Sequence, residues 1–303
     1  MIETQHLRKK IGRRVVLNGV TFSAVPGKIT AMLGENGAGK SSTFRVLLGL
    51  DSAAGAALVQ GRPYAEHYCP PAVVGGLLNA GSAHPRRTAA AHLGMMAQAC
   101  SVSANRVATV LDECGLGEHK HRRVGEFSLG MKQRLGIAGA ILADPPVLIL
   151  DEPANGLDPA GMVWFRSLLQ SKAASGGTVL ISSHLLGEVS RVADDVVFLH
   201  AGQVRETGTV DAVLEKFAPS RSILRCSDPS RVADQLTRVG LTWAWADEVS
   251  LRVVTKDLRF LGRLAFECDS QVYELSAEQR DLEQAFLEGV EAMKRGREDE
   301  RSQ

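Results

Sequence analysis

The feature that most constrains the fold is a glycine-rich loop at 34–41 with the pattern G-x-x-x-x-G-K-S. The apolar residues 29–33 before it predict a buried strand, and residues 40–48 after it predict a helix that Gly49 ends. In this order, backbone N–H groups of the loop can point at phosphate oxygens, and the helix dipole favours the anion. The pattern therefore predicts an α/β fold that binds phosphate at the end of a strand.

Each position of this loop has a chemical reason for its residue type. Glycines let the backbone turn tightly, Lys40 supplies a point charge to the outer phosphates, and Ser41 offers a hydroxyl to Mg²⁺. A glycine-rich turn with a chance lysine is the alternative, which average composition would produce in about one chain of this length in a hundred. The predicted nucleotide-binding residues of the loop are Gly34, Glu35, Asn36, Gly37, Ala38, Gly39, Lys40, Ser41 and Ser42.

Two carboxylates follow a second predicted strand. The apolar run 147–150 leads directly into Asp151, Glu152 and Pro153. Ligands bind at the carboxyl edge of parallel sheets, and neighbouring strand residues point in opposite directions. Asp151 is therefore predicted to bind the metal ion, and Glu152 to act on the attacking water. Taken alone, the segment could equally be a strand-end turn with solvated side chains.

Two further polar residues stand beside predicted helices and strands. Ser128 precedes the helical segment 129–142 and is a good N-cap, and the N–H groups at such a cap can also hold a phosphate. His184 follows the strand predicted at 179–181, and an imidazole titrates in a range that suits contact with a γ-phosphate or a water. An ordinary helix cap and a structural histidine are the alternatives.

Strands and helices alternate through residues 1–218, which predicts an α/β domain with parallel strands. Residues 86–143 are expected to be mainly helical. Composition changes near Pro219, and residues 219–290 predict a small appended α/β domain. The tail at 291–303 holds eight charged residues and is expected to be disordered. The other predicted elements are strands at 15–17, 20–23, 223–225, 241–245 and 251–253, and helices at 105–114, 229–238 and 282–287.

Composition excludes several classes of function. The net charge of +1 gives no bulk attraction to nucleic acid or anionic lipid, so no nucleic-acid partner is expected. Because the chain has neither an apolar run of about 18 residues nor an apolar signal core, no membrane span is expected. The odd number and wide spacing of the cysteines disfavour a disulfide framework or a zinc site and suit a reducing compartment. They are Cys69, Cys100, Cys114, Cys226 and Cys268.

Together these residues resemble the nucleotide-binding subunit of an ATP-binding cassette (ABC) transporter over about residues 1–215. Six elements occur in the order and spacing of that family. The resemblance implies the cassette fold of the P-loop NTPases, a mixed sheet with a parallel core and a helical subdomain. The six elements are the loop at 34–41, the polar segment near Asn79, the signature at 127–131, the strand and carboxylates at 147–152, the segment 155–159 and His184.

The resemblance implies a mechanism that needs two chains. Two cassettes would stack head to tail as a homodimer and bury ATP and Mg²⁺ between them. Ser128 and Gly130 would contact the γ-phosphate of the ATP bound to the partner, and Asp158 would couple the two sites. Glu152 would be the general base, and His184 would steady the γ-phosphate.

Three positions depart from the pattern of the family. The signature at 127–131 reads Phe-Ser-Leu-Gly-Met instead of Leu-Ser-Gly-Gly-Gln, and this version resembles the cassettes of bacitracin, lantibiotic and anthracycline exporters. Asn79 stands at a catalytic position where glutamine is usual, and its side chain is one methylene shorter. Ile11 stands where an aromatic residue usually stacks on adenine, so apolar packing is expected there.

The resemblance implies that the chain hydrolyses ATP and drives a separate permease from the cytoplasmic face of the membrane. The exported compound would be an antibiotic, a drug or a lipid-like molecule. A cassette ATPase that acts in translation or DNA repair is one alternative, which the single cassette and the lack of a heptad run or a basic face disfavour. An ATP sensor with weak hydrolysis is the other, which the presence of Lys40, Asp151 and Glu152 disfavours.

Overall fold

The computed structural model describes residues 1–183, 191–217 and 219–278. The chain divides into two compact units between Val210 and Asp211. The strands of the first unit are β1 (Ile2–Ile11), β2 (Arg14–Ala24), β3 (Ile29–Leu33), β4 (Ala54–Val59), β5 (Val74–Leu77), β6 (Val147–Leu150), β7 (Thr178–Ser183), β8 (Asp195–His200) and β9 (Gln203–Thr209).

The larger sheet of this unit has the strand order β5-β6-β7-β3-β8-β9. Only β9 runs antiparallel to its neighbour, and the other strands are parallel. β3, β6 and β7 are buried along their whole length, as strands of a parallel sheet covered on both faces must be. The predicted mixed sheet with a parallel core is confirmed. The loop after β3 and the carboxylates after β6 consequently meet at one edge of the sheet.

A smaller antiparallel sheet has the order β2-β1-β4. β2 is one continuous strand, whereas the sequence predicts two strands at 15–17 and 20–23. β1 is not predicted because register shifts on both sides of Leu7 break the two-residue alternation of its side chains. His6, next to these shifts, has a positive φ of 50°.

The region at 86–143, which the sequence predicts to be mainly helical, contains three α-helices. Each begins after a Ser or Thr whose side chain accepts a hydrogen bond from a backbone N–H of the first turn. The helix after the phosphate-binding loop is also found where the sequence places it. The helices of the first unit are α1 (Lys40–Leu47), α2 (Pro70–Val73), α3 (Ala89–Ala99), α4 (Ala104–Glu113), α5 (Leu129–Ile141) and α6 (Pro159–Ala174).

Helix α5 crosses β5 so closely that the strand has no room for a side chain at the crossing. A Cβ atom on Gly75 would lie 1.9 Å from the carbonyl oxygen of Ala140. Gly136 on the helix faces Leu77 in the same way, because a Cβ atom there would lie 2.6 Å from Cδ1 of that leucine. The crossing brings the backbone of α5 onto the sheet, next to the strand that ends at Asp151.

The second unit begins within α7 (Val210–Phe217). Its other elements are β10 (Ser222–Cys226), α8 (Pro229–Arg238), β11 (Trp243–Asp247), β12 (Ser250–Val253), α9 (Leu258–Glu267) and β13 (Val272–Ala277). Its sheet is antiparallel throughout, with the order β11-β12-β10-β13. The βαββαβ succession is that of a ferredoxin-like module.

The sequence predicts β10, α8, β11 and β12 but neither α9 nor β13. The predicted helix at 282–287 and the predicted tail at 291–303 lie outside the described residues.

Among the described residues, none of the helices combines the length and the apolar character that crossing a bilayer requires. The predicted limits of the second domain, 219 and 290, stay a prediction because the description ends at residue 278.

We expect Gly75→Ala to lower the free energy of unfolding by about 3 kcal/mol, because the added methyl group would collide with the Ala140 carbonyl. Urea unfolding followed by circular dichroism measures this change. Gly94→Ala is the matched control, since Gly94 lies within α3 and an added Cβ would have no atom within 4 Å. That control should unfold at the same or a slightly higher urea concentration. Equal midpoints for wild type and Gly75→Ala would contradict the close crossing.

Candidate functional site

The phosphate-binding loop lies between β2 and β8 with almost no space on either side. A Cβ atom on Gly34 would come within 2.3 Å of the Leu199 carbonyl oxygen, and one on Gly39 within 3.0 Å of the Val16 carbonyl oxygen. Gly39 also has a φ of 111°, a conformation that other residues rarely adopt. Glycine is therefore required at both positions by the close approach of neighbouring strands, in addition to the tight turn.

Lys40 carries its charge into the interior of this unit. Its side chain is 7% exposed, and its Nζ donates a hydrogen bond of 2.6 Å to the carbonyl oxygen of Gly34. The same Nζ lies 3.6 Å from Oε1 of Glu152, which makes an ion pair across the site between a buried lysine and a partly exposed glutamate. The loop and the carboxylate after β6, both predicted from the sequence, are thus in direct contact through Lys40.

A pocket of ≈ 400 Å³ opens beside this pair. Its volume is in the range of sites that hold a small ligand. It joins the predicted phosphate-binding loop to Glu152 and to three residues of the β1–β2 hairpin. Of these, Ile11 is expected from the sequence to pack on adenine, whereas Arg14 and Val16 are not singled out by the sequence. Its lining consists of Ile11, Arg14, Val16, Glu35, Asn36, Gly37, Gly39, Lys40, Ser41, Ser42 and Glu152.

Ser182 at the end of β7 fixes both carboxylate residues. Its Oγ donates a hydrogen bond of 2.5 Å to Oδ1 of Asp151 and accepts one of 2.7 Å from the backbone N–H of Glu152. Glu152 has a φ of 46°, so the chain leaves β6 through a left-handed residue that redirects the glutamate side chain. Sequence reasoning missed Ser182. The signal that could have indicated it is a serine directly after the apolar strand residues 179–181.

The residues predicted to serve a second ATP lie together at a different place. Ser128 caps α5 by accepting a hydrogen bond of 3.2 Å from the N–H of Met131, and Asp158 caps α6 by accepting one of 2.8 Å from the N–H of Gly161. A Cβ atom on Gly130 would lie 2.7 Å from the carbonyl oxygen of Gly156, so the signature and the segment 155–159 are packed backbone to backbone. None of these residues lines the pocket at the phosphate-binding loop.

Gln133 on α5 connects the signature helix to the carboxylate turn. Its side chain is buried, and its Nε2 donates hydrogen bonds of 2.8 Å to the Pro153 carbonyl and 3.3 Å to the Glu152 carbonyl. A buried amide without partners would be destabilising, so these bonds hold the turn firmly against α5. Sequence reasoning missed this residue because a single glutamine in an apolar helix does not reveal which carbonyl groups it reaches.

Arg134, the next residue, makes the corresponding connection to α6. Its Nη2 lies 3.8 Å from Oδ1 of Asp158, and its guanidinium carbon lies 4.7 Å from the centre of the Trp164 ring. Its Nη1 also donates a hydrogen bond of 3.1 Å to the Cys114 carbonyl. The guanidinium therefore fixes α5, α6 and the end of α4 relative to one another.

Asn79, which is predicted to be catalytic, is not among the residues that line this pocket. Asn79 lines a separate, largely apolar groove of ≈ 530 Å³ between β5 and α5, and its Oδ1 accepts a hydrogen bond of 2.7 Å from the N–H of Gly81. Its catalytic role stays a prediction. His184 belongs to the segment 184–190, which lies outside the described residues, so its predicted contact with the γ-phosphate stays a prediction.

Known proteins match the part of the chain that contains this site. The family model for ABC transporters matches residues 17–155. The chain is 37% identical over 205 residues to the lantibiotic transport ATP-binding protein SrtF of Streptococcus pyogenes, which covers 67% of this chain and 89% of that protein. It is also 37% identical over 210 residues to the bacitracin transport ATP-binding protein BcrA of Enterococcus faecalis, which covers 68% of each chain.

A solved ATP-binding subunit of an ABC transporter is similar in structure, with a TM-score of 0.66 at 31% identity over 72% of this chain and 93% of that one. The family match includes the loop at 34–41, Asp151 and Glu152. The resemblance read from the sequence is confirmed. The chain therefore belongs to the ABC transporter family as an ATP-binding subunit, which hydrolyses ATP to drive transport.

Proposed function

We propose that this subunit powers a separate membrane permease that exports an antibiotic, a drug or a lipid-like compound. The observation that carries the proposal is the pocket in which the phosphate-binding loop and Glu152 meet. Export is supported by the relatives SrtF and BcrA, whose names refer to transport of a lantibiotic and of bacitracin. The chain would act at the cytoplasmic face of the membrane, bound to the permease.

Binding of ATP would change the partner of Lys40. In the structure, its Nζ donates a hydrogen bond to the Gly34 carbonyl and lies 3.6 Å from Glu152. The N–H groups of the loop and the Lys40 charge would hold the outer phosphates, which are stronger partners than a single carbonyl. Glu152 would then orient a water against the γ-phosphate and accept its proton.

Magnesium fits the donor set at this edge of the sheet. Ser41 offers a hydroxyl in the first turn of α1, and Asp151 offers a carboxylate at the end of β6. Both are hard oxygen donors of the kind that Mg²⁺ prefers. Asp151 uses Oδ1 to accept the Ser182 hydrogen bond, and its other oxygen would face the ion. When bound, the ion would neutralise charge on the β- and γ-phosphates.

A second copy of the cassette would complete the site. Ser128 and Gly130 lie away from the pocket of their own chain, and a capped helix start is suited to hold a phosphate of another chain. We therefore infer a homodimer in which each pocket receives the signature of the partner. Asp158, packed beside the signature through Arg134, would couple the two pockets.

We expect Lys40→Ala to weaken ATP binding by about a hundredfold or more, because it removes the buried charge that faces the outer phosphates. Isothermal titration calorimetry with Mg²⁺ and ATP measures the affinity. Lys120→Ala serves as a control that removes the same charge from an exposed side chain away from the pocket and the signature. Unchanged affinity in Lys40→Ala would reject the assignment of the loop.

We expect Glu152→Gln to keep ATP affinity but to lower turnover by about a hundredfold or more, because the amide cannot accept the proton of the water. Phosphate release measures turnover, and size-exclusion chromatography with ATP should show an accumulated dimer. Glu126→Gln, which removes an exposed glutamate paired with Arg122, should retain full turnover. Normal hydrolysis by Glu152→Gln would remove this residue from the role of base.

We expect Gln133→Ala to lower turnover by about tenfold while leaving the KM for ATP nearly unchanged. The substitution removes the donor that holds the Glu152 and Pro153 carbonyls, so the base is less well positioned although the phosphate-binding loop is intact. Steady-state kinetics separates kcat from KM. Equal kcat for Gln133→Ala and Lys120→Ala would show that this connection does not position Glu152.

Transport itself is tested by co-expression with a membrane protein encoded in the adjacent reading frame. Reconstituted vesicles should show ATP hydrolysis that depends on the membrane protein, and export that stops in Glu152→Gln. Association with ribosomes or DNA, without stimulation by a membrane protein, would contradict the proposed function.

A further inference from the structure

Arg14 lies at the rim of the nucleotide pocket, at the start of β2. Its side chain is exposed, and it belongs to the lining of the pocket together with Ile11 and Val16. A Cβ atom built on Gly37 would lie 3.6 Å from its Nη2 atom. The guanidinium therefore extends from the β1–β2 hairpin to the middle of the phosphate-binding loop.

The formal charge of the pocket lining depends on Arg14. The lining contains two carboxylates, Glu35 and Glu152, and two cations, Arg14 and Lys40, so its formal net charge is zero. Lys40 already faces Glu152 at 3.6 Å, whereas Arg14 has no ion-pair partner among the residues that the structure describes. Without Arg14, the formal charge of the lining would be negative. A negative lining would repel the negatively charged polyphosphate chain.

The apolar part of the pocket argues against a contact between Arg14 and the base. Ile11 is 58% exposed and Val16 is half-buried, so both present aliphatic surface beside the loop. These side chains can pack against a flat purine but, unlike an aromatic ring, cannot stack on it. Phosphate contacts must then contribute a larger share of the affinity, and a guanidinium is the side chain best suited to bind two phosphate oxygens at once.

We propose that Arg14 is a phosphate-binding residue of this site, which holds the polyphosphate chain of the nucleotide from the hairpin side while the loop holds it through N–H groups and Lys40. The proposal rests on the proposed function, in which this pocket binds ATP. It adds a second cation to the site and assigns it to the phosphates, not to the base or the ribose.

The experiment compares two ligands that share only the phosphate chain. Binding of ATP and of inorganic tripolyphosphate, each with Mg²⁺, is measured by calorimetry or by displacement of a fluorescent ATP analogue. We expect Arg14→Ala to weaken both ligands by a similar factor, about tenfold, and Arg14→Lys to recover part of the loss. The affinity of Arg14→Ala should also depend less on salt concentration than that of the wild type.

Arg13→Ala is the matched control. Arg13 is the adjacent residue on the same hairpin and carries the same charge, but it does not line the pocket. Its affinities should equal those of the wild type, which separates a direct contact from the general field of the hairpin. Circular dichroism melting of each variant checks that the fold is retained.

Two results would overturn the inference. Equal affinities for Arg14→Ala and Arg13→Ala would show that the guanidinium does not contact the ligand. A loss for ATP without a loss for tripolyphosphate would place Arg14 on the base or the ribose. In both cases the wild type binds ATP and Lys40→Ala does not, so the proposed function stands. If the wild type bound neither ligand, the proposed function and this inference would fail together.

Discussion

The positive charge of Lys40 is the constraint on which the rest of the site depends. A buried ammonium group is costly unless it has close partners, and here the Gly34 carbonyl and the Glu152 carboxylate supply them. The pairing also places Glu152 beside the loop. In the proposed mechanism, phosphates replace the carboxylate as the partner of Lys40. The carboxylate that pairs with Lys40 in the structure would then be the group that acts on water.

Glu152 can have both tasks only if its backbone stays in place when its side chain changes partner. Ser182 holds its N–H from β7, and Gln133 holds its carbonyl from α5. One bond is to the N–H and the other to the carbonyl of Glu152, so both stabilise the left-handed conformation of this residue. The turn at Glu152 is therefore hydrogen-bonded both to the central sheet and to the signature helix.

The parts of the fold that sequence reasoning predicted are those with a short-range signal. The loop at 34–41 and the apolar run before Asp151 each combine a pattern with a position at a strand end. β1 escaped prediction because its register shifts hide the alternation of side chains, and α9 and β13 lie in a stretch with no turn signal as clear as a glycine-rich loop. The boundaries of α4 and α5 were predicted to within one residue because apolar spacing and capping residues agree there.

The site residues that were missed share one property, which is that their roles depend on a partner far away in the chain. Gln133 donates to carbonyls about twenty residues later in the chain. Arg14 lies next to Gly37 in the phosphate-binding loop, and the whole of β3 separates the two residues in sequence. No local pattern records such contacts. Gln133 thereby connects the helix that would serve the ATP of the partner to the glutamate that would act on the ATP of its own chain. A movement of the signature helix would then move Glu152 of the same chain, so the two composite sites of the proposed dimer would not act independently.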